Sequence, residues 1–293
     1  MTTLPTGLQY SIAAGRFGAV VTEVGATLRS LTIDGDEVLS TFAEDQAPFG
    51  SRGRQLVPWP NRIRDGRYSF DGVDYQLPIT EVPRNTALHG LGDGVGWRLV
   101  KRSTDEVVLA GVIFAQAGWN AVLEVEIGHR LDPADGLIVT VTTTNIGGTR
   151  APYGYGAHPY IQADLATAKL THTFSRELIV DPVRLLPIEL APVSERCDFR
   201  GGRVIGDTEL DTAFAGVEGA WSVTLETGDR RVEFWADGTQ DWGQIYTDPS
   251  RQAIAIEPMT CGPDAFNDGP THDGVIVLEP GETTSCSWGI IVS

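Results

Sequence analysis

Three residues of this chain could transfer protons, namely His89, His158 and Glu257. Each lies where an apolar, strand-like run meets glycine or proline, which is where a rigid β scaffold presents side chains to a cleft. A histidine can give or take a proton near neutral pH, and a carboxylate can act as a base. Together the three residues supply a general acid and a general base, and this chemistry needs no cofactor.

His158 has the most constrained surroundings of the histidines. It follows a Gly-x-Gly-x step in 154–157 and precedes Pro159, so its backbone is restricted on both sides and its imidazole can be aimed. The alternative is a histidine at a strand end that a backbone carbonyl satisfies, and local context alone does not choose between the two. The three remaining histidines stand in no motif and are expected to be ordinary surface or strand residues: His129, His172 and His272.

Glu257 follows the apolar run 253–256 and precedes a proline. We expect its carboxyl group to be partly desolvated, which raises its pKa and makes it a stronger base. A carboxylate paired with an arginine is the alternative. Arg62 lies in a stretch rich in proline and aromatic residues, where its guanidinium could clamp a polyol or could itself be that partner. The sequence leaves both roles open.

Composition and motifs exclude several classes of function. The net charge of −17 repels nucleic acid and anionic membrane surfaces, and it mildly disfavours phosphorylated substrates. The glycine runs at 90–94 and 154–156 lack the spacing of a dinucleotide-binding loop, and no P-loop lysine motif occurs. Nucleotide cofactors and nucleic-acid partners are therefore not expected.

The cysteines and the N-terminal segment bear on location. The three cysteines, Cys197, Cys261 and Cys286, are odd in number and far apart, so reduced thiols are expected rather than a disulfide framework or a zinc ribbon. Residues 1–7 lack the basic and apolar regions of a signal peptide, and no run is long enough to span a membrane. We expect a cytoplasmic protein, with neither a membrane nor a metal as partner.

The elements that position the three residues are predicted to be β-strands. Apolar and polar residues alternate with a period of two in many short runs, which is typical of strands with one solvated face. No sustained apolar stripe at helical spacing occurs. The predicted strands are 28–33, 67–70, 107–113, 121–127, 137–143, 220–225, 231–235, 252–256, 275–278 and 286–291.

The connecting segments also favour an all-β protein. Four of them carry the Asp-Gly or Pro-Gly chemistry of tight turns and predict hairpins: 33–36, 70–73, 132–136 and 279–282. The stretch 175–203 is the least regular and is expected to form long surface connections. Nothing marks a domain boundary, so residues 1–293 are interpreted as one mostly antiparallel domain of two large packed sheets.

Five ordered motifs resemble the aldose 1-epimerase (galactose mutarotase) family, and they span nearly the whole chain. They are Pro60-Asn-Arg-Ile-Arg-Asp-Gly66, Asn85-Thr-Ala-Leu-His-Gly90, Pro152-Tyr-Gly-Tyr-Gly-Ala-His-Pro-Tyr160, Leu210-Asp-Thr-Ala-Phe214, and Ile256-Glu-Pro-Met-Thr260 with Pro263-Asp-Ala-Phe-Asn267. The resemblance implies a β-supersandwich fold and the interconversion of α and β anomers of a free aldose such as glucose or galactose.

Roles for single residues follow from the same resemblance. Glu257 would be the general base that takes the anomeric hydroxyl proton, and His158 would be the general acid that protonates the ring oxygen. Four further residues would bind the sugar: Arg62, His89, Asp211 and Gln244.

The chain departs from the best-known galactose mutarotases after the base. They resemble Glu-Thr-Gln, whereas Glu257 is followed here by Pro258-Met-Thr260, which indicates a divergent branch and leaves the preferred aldose open. Three alternatives are a metal site built from two histidines and a carboxylate, a non-catalytic sugar-binding module, and an enzyme for hexose 6-phosphates. The sequence also leaves open whether the protein is a monomer or a homodimer.

Overall fold

A computed structural model describes residues 3–293; Met1 and Thr2, the start of the N-terminal segment considered above, lie outside it. In the first half of the chain the strands are β1 (Gln9–Ala14), β2 (Phe17–Thr22), β3 (Leu28–Ile33), β4 (Asp36–Glu37), β5 (Gln55–Leu56), β6 (Arg62–Arg64), β7 (Arg67–Phe70), β8 (Val73–Gln76), β9 (Thr86–Leu88), β10 (Arg98–Arg102), β11 (Glu106–Ile113), β12 (Leu123–Asp132) and β13 (Gly136–Asn145). In the second half they are β14 (Ala151–Tyr153), β15 (Gly156–Ala157), β16 (Tyr160–Gln162), β17 (Lys169–His172), β18 (Arg176–Val180), β19 (Pro187–Pro192), β20 (Arg203–Val204), β21 (Asp211–Ala215), β22 (Trp221–Thr227), β23 (Arg230–Ala236), β24 (Trp242–Thr247), β25 (Ala253–Met259), β26 (Ile276–Leu278) and β27 (Thr283–Val292).

Helical structure in residues 3–293 is limited to two short 3₁₀ turns, Val82–Arg84 and His272–Gly274. Neither turn is long or apolar enough to cross a membrane, and the described part of the chain holds no other helix.

Two large antiparallel sheets dominate the architecture. One has nine strands in the order β10-β11-β12-β13-β27-β23-β22-β17-β20. The other has eight strands, in the order β19-β18-β21-β24-β25-β15-β5, with β16 also pairing with β25. One large hydrophobic cluster takes buried side chains from both sheets, including Ile127 and Trp288 from the first and Ile245 and Ile256 from the second. The expectation of two large packed sheets is therefore confirmed.

Alternating side chains explain why these segments form strands. Along β12 every second residue is buried, from Leu123 to Leu131, whereas the glutamates between them are partly exposed. Since successive residues of a strand point to opposite faces, this pattern places the apolar set in the core and the charged set toward water. The burial of four apolar residues and His129 on one face of the strand fixes its register against β11 and β13.

The predicted strands all occur, with ends that shift by a few residues. Three of the four predicted turns close hairpins, 33–36, 70–73 and 132–136, whereas 279–282 joins β26 to β27, which belong to different sheets. The expectation for 175–203 is wrong, because this stretch contains the hairpin of β18 and β19. Proline at both ends of β19 and a bulge near Ile179 hid the hairpin from a period-two reading.

Candidate active site

Glu257 and His158 meet on the second large sheet. Glu257 lies in the central strand β25, and His158 lies in the gap between β15 and β16, both of which pair with β25. The backbone of His158 is also held from the other side, because it donates to the carbonyl of Arg54 at 3.0 Å and accepts from the amide of Gly53 at 2.9 Å. His158 Nε2 consequently lies 3.3 Å from Glu257 Oε1, with only 6% and 2% of the two residues exposed.

Burial sets the proton affinities of this pair. Desolvation, helped by the charge of Asp211, raises the pKa of Glu257 well above its ordinary value, against a smaller opposing effect of Arg62. Desolvation lowers the pKa of His158 to about 3. Both shifts favour the neutral form of each group. The expectation of a desolvated, more basic carboxyl group agrees with this arrangement.

His89 lies beside His158, with the two ring centroids 5.3 Å apart and the rings nearly perpendicular. Its backbone has φ +63°, and the next residue, Gly90, leaves no room for a side chain against the carbonyl of Val57. The amide of Asn61 donates to His89 Nδ1 at 3.2 Å. In a neutral imidazole that accepts at Nδ1, the proton is on Nε2, so His89 is fixed as a hydrogen-bond donor.

Gln244 and Asp211 extend the site across two further strands. Gln244 of β24 lies directly opposite Glu257 in the antiparallel register, and Asp211 begins β21, the next strand. Gln244 Nε2 donates to Asp211 Oδ1 at 2.6 Å. This bond orients the amide, because only its NH₂ group can donate to a carboxylate, and it leaves Gln244 Oε1 free to accept a hydrogen bond.

Arg62 is paired, but not with Glu257. Its Nε and Nη2 donate to the two carboxylate oxygens of Glu81 at 2.8 and 3.1 Å, and its Nη1 donates to Asn61 Oδ1 at 3.3 Å. Burial acts to raise the pKa of Glu81, but the hydrogen bonds from Arg62 and Thr86 bring it below its ordinary value. The alternative of an Arg62–Glu257 pair is therefore wrong, and the charge of Arg62 is largely balanced within this cluster.

Three buried polar atoms of this region have no hydrogen-bond partner, namely Glu257 Oε2, His158 Nδ1 and Gln244 Oε1. Buried polar groups are nearly always satisfied, so a cluster of unsatisfied ones indicates where a polar ligand binds. A cleft adjoins the pair and is lined by Asn61, Arg62, Val180, Leu185, Asp211, Ala213, Gln244 and Pro263. Neither Glu257 nor His158 lines this cleft, but Gln244, which lies opposite Glu257, does.

The structure thus gathers all six residues that the sequence singled out. Sequence reasoning missed Glu81, which holds Arg62, and Tyr160, whose ring stacks on His158. Neither residue has a local pattern that predicts its partner. The other histidines lie elsewhere: His129 and His172 are buried in strands, and His272 is exposed on a 3₁₀ turn. Within residues 3–293 no three His, Cys, Asp or Glu side chains have an arrangement that could hold a metal ion.

Residues 9–289 match the family described as aldose 1-epimerase. The chain belongs to that family. It is 31% identical over 282 residues to the uncharacterized protein YihR of Escherichia coli K12, covering 94% of this chain and 91% of that protein. This membership agrees with the resemblance carried by the five motifs.

Solved structures show the same fold. A galactose mutarotase-like protein from Clostridium acetobutylicum superposes with a TM-score of 0.86 at 19% identity, covering 97% of this chain and 94% of that one. The GalM/aldose epimerase homologue from C. elegans gives a TM-score of 0.85 at 18% identity, covering 98% of each chain. The expectation of a galactose mutarotase-like, mostly antiparallel β-supersandwich is confirmed.

The residues that follow Glu257 in this epimerase-family chain have structural roles. Met259 is fully buried and packs with Leu178 and Trp242 on the side of the sheet that carries Gln244. The amide of Thr260 donates to the carbonyl of Tyr155 at 2.9 Å, and the hydroxyl of Thr260 accepts from the amide of Tyr155 at 2.8 Å. Thr260 therefore fastens the segment that leads to His158.

Proposed function

We propose that this protein is a mutarotase, an isomerase that interconverts the α and β anomers of a free aldose such as glucose or galactose. The observation that carries the proposal is the 3.3 Å approach of His158 Nε2 to Glu257 Oε1, with unpartnered polar atoms on both residues and on Gln244, which lines the neighbouring cleft. Anomers differ only at C1, where the hydroxyl oxygen O1 and the ring oxygen O5 are bonded to the same carbon. An acid and a base that serve these two oxygens must be neighbours.

Ring opening follows from this placement. Glu257 takes the proton of the O1 hydroxyl while the bond between C1 and O5 breaks, and the O1 electrons form the aldehyde carbonyl. His158 gives a proton to O5, which becomes a free hydroxyl. After rotation about the bond from C1 to C2, the same steps run backward on the opposite face of the aldehyde. Protons and electrons balance within the pair and the sugar, so no co-reactant is consumed.

The proton count of the pair supports these roles. Ring opening needs an ionised Glu257 and a protonated His158, whereas burial favours the neutral form of each group, with the proton of the pair on Glu257. The two states contain the same number of protons and differ by one transfer over the 3.3 Å contact. A sugar hydroxyl that donates to Glu257 Oε2 stabilises the ionised carboxylate and thereby favours the charge-separated, productive state.

The remaining four residues would hold the sugar. His89 Nε2 donates, Gln244 Oε1 accepts, and Asp211 retains a second carboxylate oxygen for another hydroxyl. Arg62 lines the cleft with its charge balanced by Glu81. A balanced cation suits neutral hydroxyl groups better than a phosphate, which supports a free aldose over a hexose 6-phosphate. The three cysteines are free and buried, which supports a cytoplasmic location.

Polarimetry of freshly dissolved α-D-glucose and α-D-galactose, with and without protein, tests the proposal. We expect the approach to equilibrium rotation to be faster with the protein, and Glu257→Gln to abolish the effect. Tight binding of either sugar without acceleration would instead indicate a non-catalytic module. Saturation by glucose 6-phosphate in preference to glucose would indicate the phosphosugar enzyme.

A further inference from the structure

A second groove opens from the far side of the candidate active site. Strands β18 and β21 pair only at Arg176 with Ala215 and at Glu177 with Phe214. Beyond these pairs both strands continue, β18 to Val180 and β21 to Asp211, without pairing with each other. The strands therefore splay apart, and a groove lies between them.

The groove and the sugar cleft are neighbours that share part of their lining. Both are lined by Val180, Leu185 and Asp211. Asp211 is two strands from Glu257 in the same sheet and is offset from it by two residues along the strand, so the two backbones are about 12 Å apart at the usual strand spacing and rise. A pyranose ring with its hydroxyl groups can bridge that distance. A sugar with C1 at Glu257 thus has its other end at the entrance to the groove.

The groove is built for hydroxyl donors rather than for anions. Glu177 is only 4% exposed, lines the groove, and its Oε2 has no hydrogen-bond partner. Glu209 and Asp211 add two more carboxylates. Two arginines also line the groove, and both donate to backbone carbonyls: Arg251 to those of Gly206 and Thr208, and Arg196 to that of Glu209. Carboxylates accept hydrogen bonds from hydroxyls and repel phosphates and sulfates.

An aromatic ring completes the polar lining. Tyr246 is partly exposed in the groove, and its ring stands edge-on to Tyr160 at 6.3 Å. A tyrosine offers an apolar face together with a polar tip, which suits the alternating apolar and hydroxylated faces of a sugar ring.

We infer that the groove between β18 and β21 is a second saccharide subsite, so that the substrate is the reducing end of a di- or oligosaccharide. This inference rests on the proposed function. The reducing unit would occupy the cleft with C1 free at Glu257, and the next unit would lie in the groove, linked through an oxygen other than O1. A sugar without a free anomeric carbon would bind without being turned over.

Initial rates of mutarotation by polarimetry test the inference. Maltose, lactose and melibiose all carry glucose at the reducing end, so that comparison with glucose isolates the second unit. We expect kcat/KM for at least one disaccharide to exceed that for glucose by about tenfold or more, the value of one hydrogen bond to a charged group. Equal kcat/KM for glucose and all three disaccharides would overturn the inference but leave the proposed function intact. No acceleration with any sugar would overturn both.

Two variants locate the effect. Ile179 lines the groove and is 38% exposed, so Ile179→Trp fills the groove with little risk to folding. We expect it to reduce kcat/KM for the preferred disaccharide to the glucose level, and the glucose rate itself to stay unchanged. Ile188→Trp is the matched control, because Ile188 is exposed on the neighbouring strand but does not line the groove.

Glu177→Gln is the second test, since it keeps the shape of the side chain and removes its charge. We expect a loss of about threefold for the disaccharide only, because an amide oxygen still accepts a weaker hydrogen bond. Equal losses for glucose and disaccharide in both Ile179→Trp and Glu177→Gln would mean that the groove acts only through the fold, and the inference would be wrong.

Discussion

The ring of Tyr160 stacks on the imidazole of His158, with centroids 4.9 Å apart and planes inclined by 15°. The opposite face of Tyr160 is covered by the guanidinium of Arg52, 4.5 Å from the ring centroid, and Arg52 is paired with the buried Asp248 at 2.7 Å. The tyrosine hydroxyl donates to the carbonyl of Gly50 at 2.9 Å. Arg52, Tyr160 and His158 therefore form a stack, and this stack fixes the plane of the imidazole.

Substitution of Tyr160 separates this positioning role from simple stability. Tyr160→Leu removes the ring and lets the imidazole tilt; we expect kcat to fall by about tenfold to a hundredfold with little change in KM. Tyr160→Phe keeps the ring and loses only the bond to Gly50, so kcat should be preserved while the free energy of unfolding falls by about 1 kcal/mol. Polarimetric kinetics and urea unfolding measure both. Equal losses of kcat in the two variants would contradict a role for the ring.

Glu257 and His158 should behave as one unit under mutation. Glu257→Gln and His158→Gln should each reduce kcat by about 10²–10⁴-fold, the usual contribution of general acid or base catalysis. Because each group is useful only with the other, the double variant should be no slower than the slower single variant. Rates measured by polarimetry, with the spontaneous reaction subtracted, check this. A loss in the double variant equal to the product of the single losses would show that the two residues act independently.

The strands could be predicted because their periodicity depends only on which face is buried. Strand β3 shows this well, since the predicted bounds 28–33 match its observed ends. Pairing between distant strands could not be predicted, and it is this pairing that brings β25 beside β15 and β16. The hairpin of β18 and β19 escaped prediction because its second strand is half exposed and bounded by prolines.

The candidate site was predicted in part from chemistry and in part from the motifs. Glu257 stood out because it follows four apolar residues and precedes a proline, and it proved to be buried. Asp211 and Gln244 were found by resemblance alone. Glu81 is separated from Arg62 by 19 residues, and nothing in its local sequence marks it as the partner. Such long-range pairs depend on the fold.

The pH dependence of kcat/KM should reveal the shared proton. If Glu257 and His158 titrated independently with ordinary pKa values, activity would be lost below about pH 4.5, where the glutamate is protonated, and above about pH 6.5, where the histidine is neutral. In the pair, the pKa of His158 is lowered to about 3 and that of Glu257 is raised, so the one-proton form persists between these limits. We expect activity to be retained at pH 4 in brief assays and to be lost as pH rises through the raised value. An acid limb near pH 4.5 would contradict the coupled pair.

Glu81 should control the sugar cleft and the base through Arg62. Glu81→Gln removes the carboxylate that fixes the guanidinium, so we expect KM to rise by about threefold to tenfold, with a smaller change in kcat. The unbalanced charge of Arg62 also favours an ionised Glu257, which lowers its pKa and moves the alkaline limb of kcat/KM to lower pH. Kinetics over a pH series measure both effects. Thr86→Val, which removes another bond to Glu81 but no charge, should leave the alkaline limb in place.

His129 should make the fold sensitive to acid. It is fully buried in β12 between Val107 and Val139, and neither ring nitrogen has a hydrogen-bond partner. Burial lowers its pKa to about 3, whereas the unfolded chain takes up the proton near pH 6.5. The free energy of unfolding therefore has the full contribution of the neutral His129 above pH 6.5 and loses it progressively as pH falls toward 3. At pH 5 the loss is about 2 kcal/mol. Urea unfolding at pH 7.5 and at pH 5 measures how far the free energy of unfolding falls between the two pH values. This fall should be about 2 kcal/mol smaller in His129→Leu than in the wild type. His272→Gln, at an exposed histidine, is the control. Equal losses of unfolding free energy in His129→Leu and the wild type would show that the buried imidazole does not govern the acid response.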